Sequence, residues 1–318
     1  MNDAVSSYKH CRLCPRGCGV DRLSGEKGFC GETAALRIAA VSIHRGEEPP
    51  IMGTRGSGTI FVSGCNLRCA FCQNYQISRQ GQGKTVTQAE FVRICLTLQE
   101  KGAENINIVT GSHAAPALAA GIQAARSRGL VIPALWNSSG YESLEALSLL
   151  AEVIDGYLPD LKTLDSAIAG RFFKAPDYGE VASAAVKRML SLRDIRYEGA
   201  VLRSGVIVRH LVLPGRLEST RDVLRWFAEH AAGKGLLSLM TQYTPVGGAD
   251  SGADIPSRTV NEAEYETVLS WLDEFGIEDG FYQEPPLSGA PDSEWLPDFN
   301  RANPFPSALS TPVWHWRA

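Results

Sequence analysis

The chain has 318 residues, 44% of them apolar, with 31 Lys and Arg against 35 Asp and Glu. That suffices for a sizeable core, and the near balance of charge, without a run of five like charges, gives no attraction for nucleic acid or a membrane surface. Met1-Asn2-Asp3-Ala4 has no basic or apolar leader character and no stretch approaches 18 apolar residues, so a soluble, cytoplasmic protein is expected, in which eight Cys point to metal sites rather than disulfides.

Residues 1–50 read as a Cys-rich lobe and its connection. Cys11, Cys14, Cys18 and Cys30 lie in a segment punctuated by Gly19, Gly25 and Gly28 that cannot bury much apolar surface. Four thiolates there suit a second metal site. The Cys14-Pro15 step fits iron–sulfur ligation and the four-Cys set equally fits tetrahedral zinc. Leu36 to Ile43 alternates weakly, as a strand would. His44-Arg45-Gly46-Glu47-Glu48-Pro49-Pro50 reads as a solvated connection whose prolines stop pairing; lining a site from below is its other reading.

Thr59 to Ser63 is an apolar, β-prone strand, and it runs directly into Cys65, Cys69 and Cys72, spaced C-x3-C-x2-C. Three thiolates in a loop at the carboxyl end of a strand suit one face of an iron–sulfur cube, leaving one iron open for chemistry. A zinc site short of a ligand and chance spacing of buried cysteines are the alternatives.

From residue 85 helix and strand alternate, which predicts a parallel sheet with covering helices over 51–284. Thr87 starts a helix to about Lys101, with Phe91, Cys95 and Leu98 on its buried face and Cys95 an ordinary core residue. Strands are expected at Asn105–Thr110, Val131–Trp136, Gly156–Leu161, Val206–Leu213 and Leu236–Tyr243, with a short seventh at Phe281–Gln283. Helices are expected near Ala114, over Leu144–Ala151, over 178–193, from a capping start at Ser219 and Asp222, and over 261–275. The remainder, 285–318, is Pro-rich, with Trp295, Trp314 and Trp316 pinning it across the rest.

The run Gly64-Cys65-Asn66-Leu67-Arg68-Cys69-Ala70-Phe71-Cys72-Gln73-Asn74 resembles the signature of radical S-adenosylmethionine (radical SAM) enzymes. The Cys72-Gln73-Asn74 continuation is similar to the glycyl-radical-enzyme activases, among them the pyruvate formate-lyase activating enzyme. The resemblance covers roughly residues 10–290. It implies a partial TIM-type (β/α)6 barrel and a [4Fe–4S] cluster on Cys65, Cys69 and Cys72 whose open iron is chelated by SAM. Asp160 and Lys162 resemble the family's D-x-K pair at the SAM site; their other reading is a strand-edge ion pair. Arg209 to Gly215 resembles the R-x-V-x-V-P-G strand whose Arg faces the cofactor, and Phe71 would pack near the adenine or simply in the core. Asn137 stands where the activases carry an acidic residue near the ribose.

Two departures matter. The G-G-E motif for the SAM amino group is replaced by Thr110-Gly111-Ser112-His113, where backbone carbonyls and the Thr110 hydroxyl would have to accept. Gln242 and Tyr243 occupy the place of a His near strand six. A lobe such as 1–50 is similar to one branch of activase-like proteins and is lacking in the pyruvate formate-lyase activating enzyme proper.

The implied reaction is reductive SAM cleavage to a 5′-deoxyadenosyl radical that takes hydrogen from a substrate, with the protein positioning the cofactor and excluding water. A low-potential donor of flavodoxin or ferredoxin type and a glycyl radical enzyme or other protein substrate are the implied partners. The alternatives are radical SAM modification of a small molecule or peptide and, from another class, a non-catalytic iron–sulfur or zinc scaffold.

Overall fold

Strands buried on both faces set the architecture. The computed structural model describes residues 6–246, 255–284, 296–306 and 308–317. Its strands are β1 (Arg37–His44), β2 (Ser57–Val62), β3 (Lys84–Thr85), β4 (Ile106–Val109), β5 (Ala134–Ser138), β6 (Gly156–Pro159), β7 (Arg196–Glu198), β8 (Val201–Leu211), β9 (Leu236–Met240), β10 (Gly280–Tyr282) and β11 (Ser310–His315). They follow the order β10-β9-β8-β6-β5-β4-β2-β1-β11. Neighbours from β2 to β10 are parallel, while β1 is antiparallel to β2 and β11 antiparallel to β1. The parallel stretch, with its returning helices, is a partial TIM-type barrel.

Helices Gln88–Glu100, Ala115–Arg126, Leu144–Leu150, Tyr178–Leu192, Leu217–His230 and Glu262–Glu274 return the chain between successive parallel strands, the crossover that parallel pairing requires. Toward them the strands turn Ile60, Val62, Ile106, Ile108, Trp136, Val206, Val208, Leu237 and Leu239, all in one apolar core. Each such side chain stabilises the fold by roughly 1.5–3 kcal/mol relative to exposure. The opposite face is internal to the barrel. Leu135, Leu158, Ile207 and Leu236 form a lower apolar layer with Ile51. One step further along their strands, Asn137, Arg209 and Ser238 line a cavity.

Local signals explain several elements. Thr87 and Glu90 form a reciprocal capping box, as do Asn261 and Glu264. Phe91, Cys95 and Leu98 are buried on the first of these helices, so Cys95 is a core residue. Trp314 lies in β11, and Trp316 donates from Nε1 to the Phe299 carbonyl at 3.2 Å, so the described C-terminal residues are packed on the sheet edge. Trp295 and the stretch 285–295 lie outside the described residues, as does Met1-Asn2-Asp3-Ala4. No helix among the described residues is long and apolar enough to cross a membrane.

Other expectations are corrected. The third parallel strand starts at Ala134, not Val131: Val131 is 84% exposed, and its N–H and that of Ile132 donate to Gln99 Oε1. Ser219 and Asp222 do not cap a helix, which already begins at Leu217; the Ser219 hydroxyl pairs with Thr163 at 2.7 Å. A helix at Ser166–Phe173, capped by Asp165, was not expected. The largest correction is His44–Pro50. Because β1 runs antiparallel to β2, the chain leaving β1 crosses the end of the barrel opposite the cysteine loop, and Glu48, Pro50 and Ile51 are buried there. Pro49 starts the short helix Pro49–Met52, a position where a missing N–H is tolerated. The segment is a barrel floor, not a solvated connection.

Candidate functional site

The chain leaves β2 through Gly64, whose φ of 84° only glycine adopts freely. A Cβ there would stand 2.4 Å from Glu32 Cγ and 3.0 Å from the Cys30 carbonyl oxygen. The turn throws Cys65, Cys69 and Cys72 onto the wall of one cavity of about 480 Å³, within the usual range for small-molecule sites. Their loop is pinned from several sides. Asn66 Nδ2 donates to the Tyr141 carbonyl at 2.7 Å, and the Ala70 N–H donates to the Phe172 carbonyl at 2.8 Å. Phe71 is held edge-on by Phe172, Phe173 and Tyr243, with ring centroids 5.7–5.9 Å away, and it also faces the cavity.

The same cavity is lined by Thr110, Asn137, Asp160, Lys162 and Arg209, each at or beyond the carboxyl end of its strand or in its last turns. Thr110 has φ 62°, a left-handed conformation that a β-branched residue adopts only under strain, of order 1–3 kcal/mol. Its N–H donates to the Asn137 carbonyl at 2.9 Å. Lys162 Nζ donates to Asp160 Oδ2 at 2.5 Å. Burial opposes the Lys162 charge, yet the Asp160 carboxylate outweighs it and holds the ammonium protonated above the ordinary lysine range. Gly140 makes room for this turn, since a Cβ on it would come 2.3 Å from the Asp160 carbonyl oxygen. Tyr178 braces it from behind, donating to the Ser139 and Asp160 carbonyls at 2.8 and 2.9 Å.

Arg209 is placed differently from a side chain free to meet a cofactor. Its Nε donates to Glu48 Oε1 at 2.7 Å, and its Nη2 is shared by Glu48 Oε2 and Glu47 Oε2, both at 2.5 Å. Its neighbour His210 points the other way, to the Leu161 carbonyl (2.7 Å) and the Thr220 hydroxyl (3.0 Å), and burial pushes its pKa down to about 4. Sequence reasoning placed the stretch holding His44, Glu47 and Glu48 below the site only as its second reading, and the structure bears that reading out. Two adjacent Glu before Pro-Pro at the end of an antiparallel strand were the available signal. Gln242 lines the cavity where the His was missing, whereas the Tyr243 hydroxyl donates to the Pro256 carbonyl at 2.8 Å.

The lobe cysteines do not line this cavity. Cys11, Cys14 and Cys30 are buried and Cys18 is exposed, its Sγ accepting from the Phe29 N–H at 3.3 Å. Among the described residues no three His, Cys, Asp or Glu side chains form a preassembled ion cage. The lobe nonetheless touches the cysteine loop directly, for the Cys65 N–H donates to the Cys30 carbonyl at 3.4 Å.

Three thiols on one wall, without a fourth protein thiol in the cavity lining, and a polar rim at the strand ends fit a cube with one open iron and an adjacent polar ligand. Burial pushes the Cys69 and Cys72 thiols up, with Lys162 opposing it at Cys69, so metal binding is what would make them thiolates.

A parallel barrel with a three-thiol cavity at its strand ends places the chain in the α/β barrel class. The model of the radical SAM superfamily matches residues 59–227, more than half of the chain, and the chain belongs to that superfamily. An uncharacterized protein of Methanocaldococcus jannaschii is 28% identical over 282 residues, which cover 86% of this chain and 78% of that one. Among solved structures, Streptococcus suis SuiB matches with a TM-score of 0.50 and 14% identity over 69% of this chain and 47% of that one. HydG, a maturase of the [FeFe]-hydrogenase, matches with a TM-score of 0.50 and 14% identity over 69% of this chain and 49% of that one. The chain thus spans about half the length of those solved structures, and at such identity they share its fold. Membership in the superfamily implies a [4Fe–4S] cluster and SAM.

Proposed function

We propose that Cys65, Cys69 and Cys72 hold the cluster and that the protein is an activase-like radical SAM enzyme, taking hydrogen from a backbone position of a protein substrate. The observation that carries the SAM-cleaving part is the sharing of one cavity by the three thiols and by Thr110, Asn137, Asp160 and Lys162. The Cys72-Gln73-Asn74 continuation supports the activase-like part. When bound, cluster and SAM supply the one-electron cleavage chemistry. The chain's own work is positioning. Lys162, held charged by Asp160, offers a cation to a carboxylate; Asn137 and the strained Thr110 turn offer amide and hydroxyl groups; Phe71 and its aromatic neighbours keep water from the wall. We further propose that Cys11, Cys14, Cys18 and Cys30 hold a second metal, zinc or an iron–sulfur cluster.

The test is anaerobic reconstitution, reduction and incubation with SAM, alone and with a glycyl radical enzyme from the same genome. Formation of 5′-deoxyadenosine together with a protein-borne glycyl radical signal is the expected result. Deoxyadenosine without any protein radical would leave SAM cleavage standing and remove the activase-like assignment.

A further inference from the structure

The chain leaving the cysteine loop turns back on it at once. Asn74 is followed by a single helical turn, Tyr75–Ser78, and the Ile77 and Ser78 N–H groups both donate to the Asn74 carbonyl, at 3.2 and 2.9 Å. This turn brings Ser78 alongside Cys72, with the Ser78 hydroxyl oxygen 3.3 Å from Cys72 Sγ. Ser78 is only 5% exposed, and among the described residues its hydroxyl makes no other hydrogen bond. A serine hydroxyl in a helical turn commonly bonds the carbonyl four residues back. Here it is directed to the sulfur instead.

The turn is held firmly from its other sides. The Ile77 carbonyl accepts from the Gly64 N–H at 3.0 Å, and the Ile77 side chain is buried with Phe61 and Phe299. Gln76 ties the turn to the C-terminal segment, donating from Nε2 to Asp298 Oδ1 at 3.0 Å and accepting at Oε1 from the Phe299 N–H at 2.7 Å. The three thiols of the loop are not equally provided for. Cys65 Sγ accepts from the Leu67 backbone N–H at 3.4 Å. Among the described residues, Ser78 is the only side chain hydrogen-bonded to any of the three sulfurs. While Cys72 is a thiol, either partner can donate. A thiolate bound to iron has no proton, so the hydroxyl must then be the donor. Ser78 does not line the cavity, so its hydroxyl meets the sulfur from within the protein and does not compete with a ligand.

Hydrogen bonds to the sulfurs are among the levers that set the potential of an iron–sulfur cluster, and partners one step behind the ligands tune metal sites generally. The reduced cube carries more negative charge than the oxidised one, so a donor to its thiolate favours the reduced form. We infer that Ser78 is a positioning residue for the cluster, whose hydroxyl donates to the Cys72 thiolate and raises the reduction potential, easing the electron entry on which SAM cleavage depends. This rests on the proposed cluster at Cys65, Cys69 and Cys72, and adds to it a group that the cysteine spacing does not contain.

The test is a potentiometric titration of the reconstituted full chain without SAM, for wild type, Ser78→Ala and Ser78→Thr, following the paramagnetic signal that Cys69→Ser lacks. Ser78→Ala should keep the iron content of wild type. At a fixed poise its ratio of reduced to oxidised cluster should fall about tenfold, a shift of about 59 mV to more negative potential for a one-electron couple. Ser78→Thr keeps the hydroxyl and should stay within about threefold of wild type. Electron–nuclear resonance before and after exchange into deuterium oxide should show a cluster-coupled exchangeable proton that Ser78→Ala lacks and Ser78→Thr retains. A Ser78→Ala cluster with wild-type iron and a ratio within about threefold of wild type would overturn the inference. Iron lost from Ser78→Ala and kept by Ser78→Thr, with that proton present, would support it. Iron lost from both would overturn it, by making position 78 a packing site. Wild-type protein that assembles no such cluster is a separate result, which removes the three-cysteine reading and the role of Ser78 with it.

Discussion

The two cysteine clusters rest on different foundations. Cys65, Cys69 and Cys72 follow a strand buried at every position, and the sheet dictates where their loop begins. Cys11, Cys14, Cys18 and Cys30 have no such frame. Their lobe owns a small apolar cluster of Tyr8, Cys11 and Leu13, with Val20 and Ala34 against it. What fixes the lobe is a pair of arginines used as bolts. Arg16 lies 3.9 Å above the Phe29 ring and donates to the backbone carbonyls of Asn66, Leu67, Phe173 and Lys174. Arg22, almost wholly buried, donates to the His113 and Thr33 carbonyls, both at 2.6 Å. A loop that inherits its place from a sheet tolerates loss of a ligand as a fold; a segment placed by a few polar cross-links does not. The lesson is that the lobe depends on the cysteine loop for its position, and that loop on the lobe for part of its backbone hydrogen bonding.

The widest separation between the two regions should come from their cysteines. Cys69→Ser is expected to lose one whole cube and all SAM cleavage while the barrel's unfolding transition persists. Cys14→Ala is expected to keep that cube and lose the lobe's metal and its local stability. Metal analysis of the loaded wild-type protein should give about one zinc and about four irons per chain, or about eight irons and no zinc. About four irons without zinc, with normal stability of Cys14→Ala, would remove the second metal site.

Lys162→Ala sharpens the contrast from the strand-end side. It deletes a cation held charged within the cavity, and a hydrogen bond to a charged group is worth about 1.5–3 kcal/mol. SAM affinity measured by titration should fall roughly ten- to hundredfold with iron content unchanged. Unchanged affinity would return Lys162 to a strand-edge ion pair with Asp160.

Arg16→Ala works from the lobe side. It leaves four backbone carbonyls without their donor and should cost about 2 kcal/mol. Hydrogen exchange should locate the loosening at both Asn66–Leu67 and Phe173–Lys174. Loosening confined to the lobe would show that the cysteine loop does not rely on it.

The smallest effect concerns the barrel alone. His210 has its pKa lowered to about 4 by burial, so the folded protein resists a proton that the unfolded chain accepts below about 6.5. The stability held in its neutral form is intact above that pH and is lost as pH falls toward 4. Between pH 6.5 and 5 the wild-type protein should lose about 1–2 kcal/mol more than His210→Gln in urea unfolding.

How much of this was legible follows from the range of the interactions. Strand β2, the cysteine loop and the Thr87 and Asn261 helix starts are written in adjacent residues, and they stand where periodicity and capping put them. The Asp160–Lys162 turn was readable only through the family pattern. The floor was readable only as the second of two readings, because Glu47 and Glu48 acquire their meaning from Arg209, more than 160 positions away. Polar residues beside two prolines otherwise describe a surface loop. Arg16 and Arg22 were invisible for the same reason, since their partners are carbonyls of distant segments.

The central claim is that the cube on Cys65, Cys69 and Cys72 has an iron open to SAM. Pulsed electron–nuclear resonance on the reduced wild-type protein, mixed with SAM labelled with nitrogen-15 at its amino group, tests it most directly. A nitrogen coupling to the cluster that is abolished in Cys69→Ser is the predicted result. A cluster spectrum that SAM leaves unchanged, or a coupling that survives loss of Cys69, would contradict it.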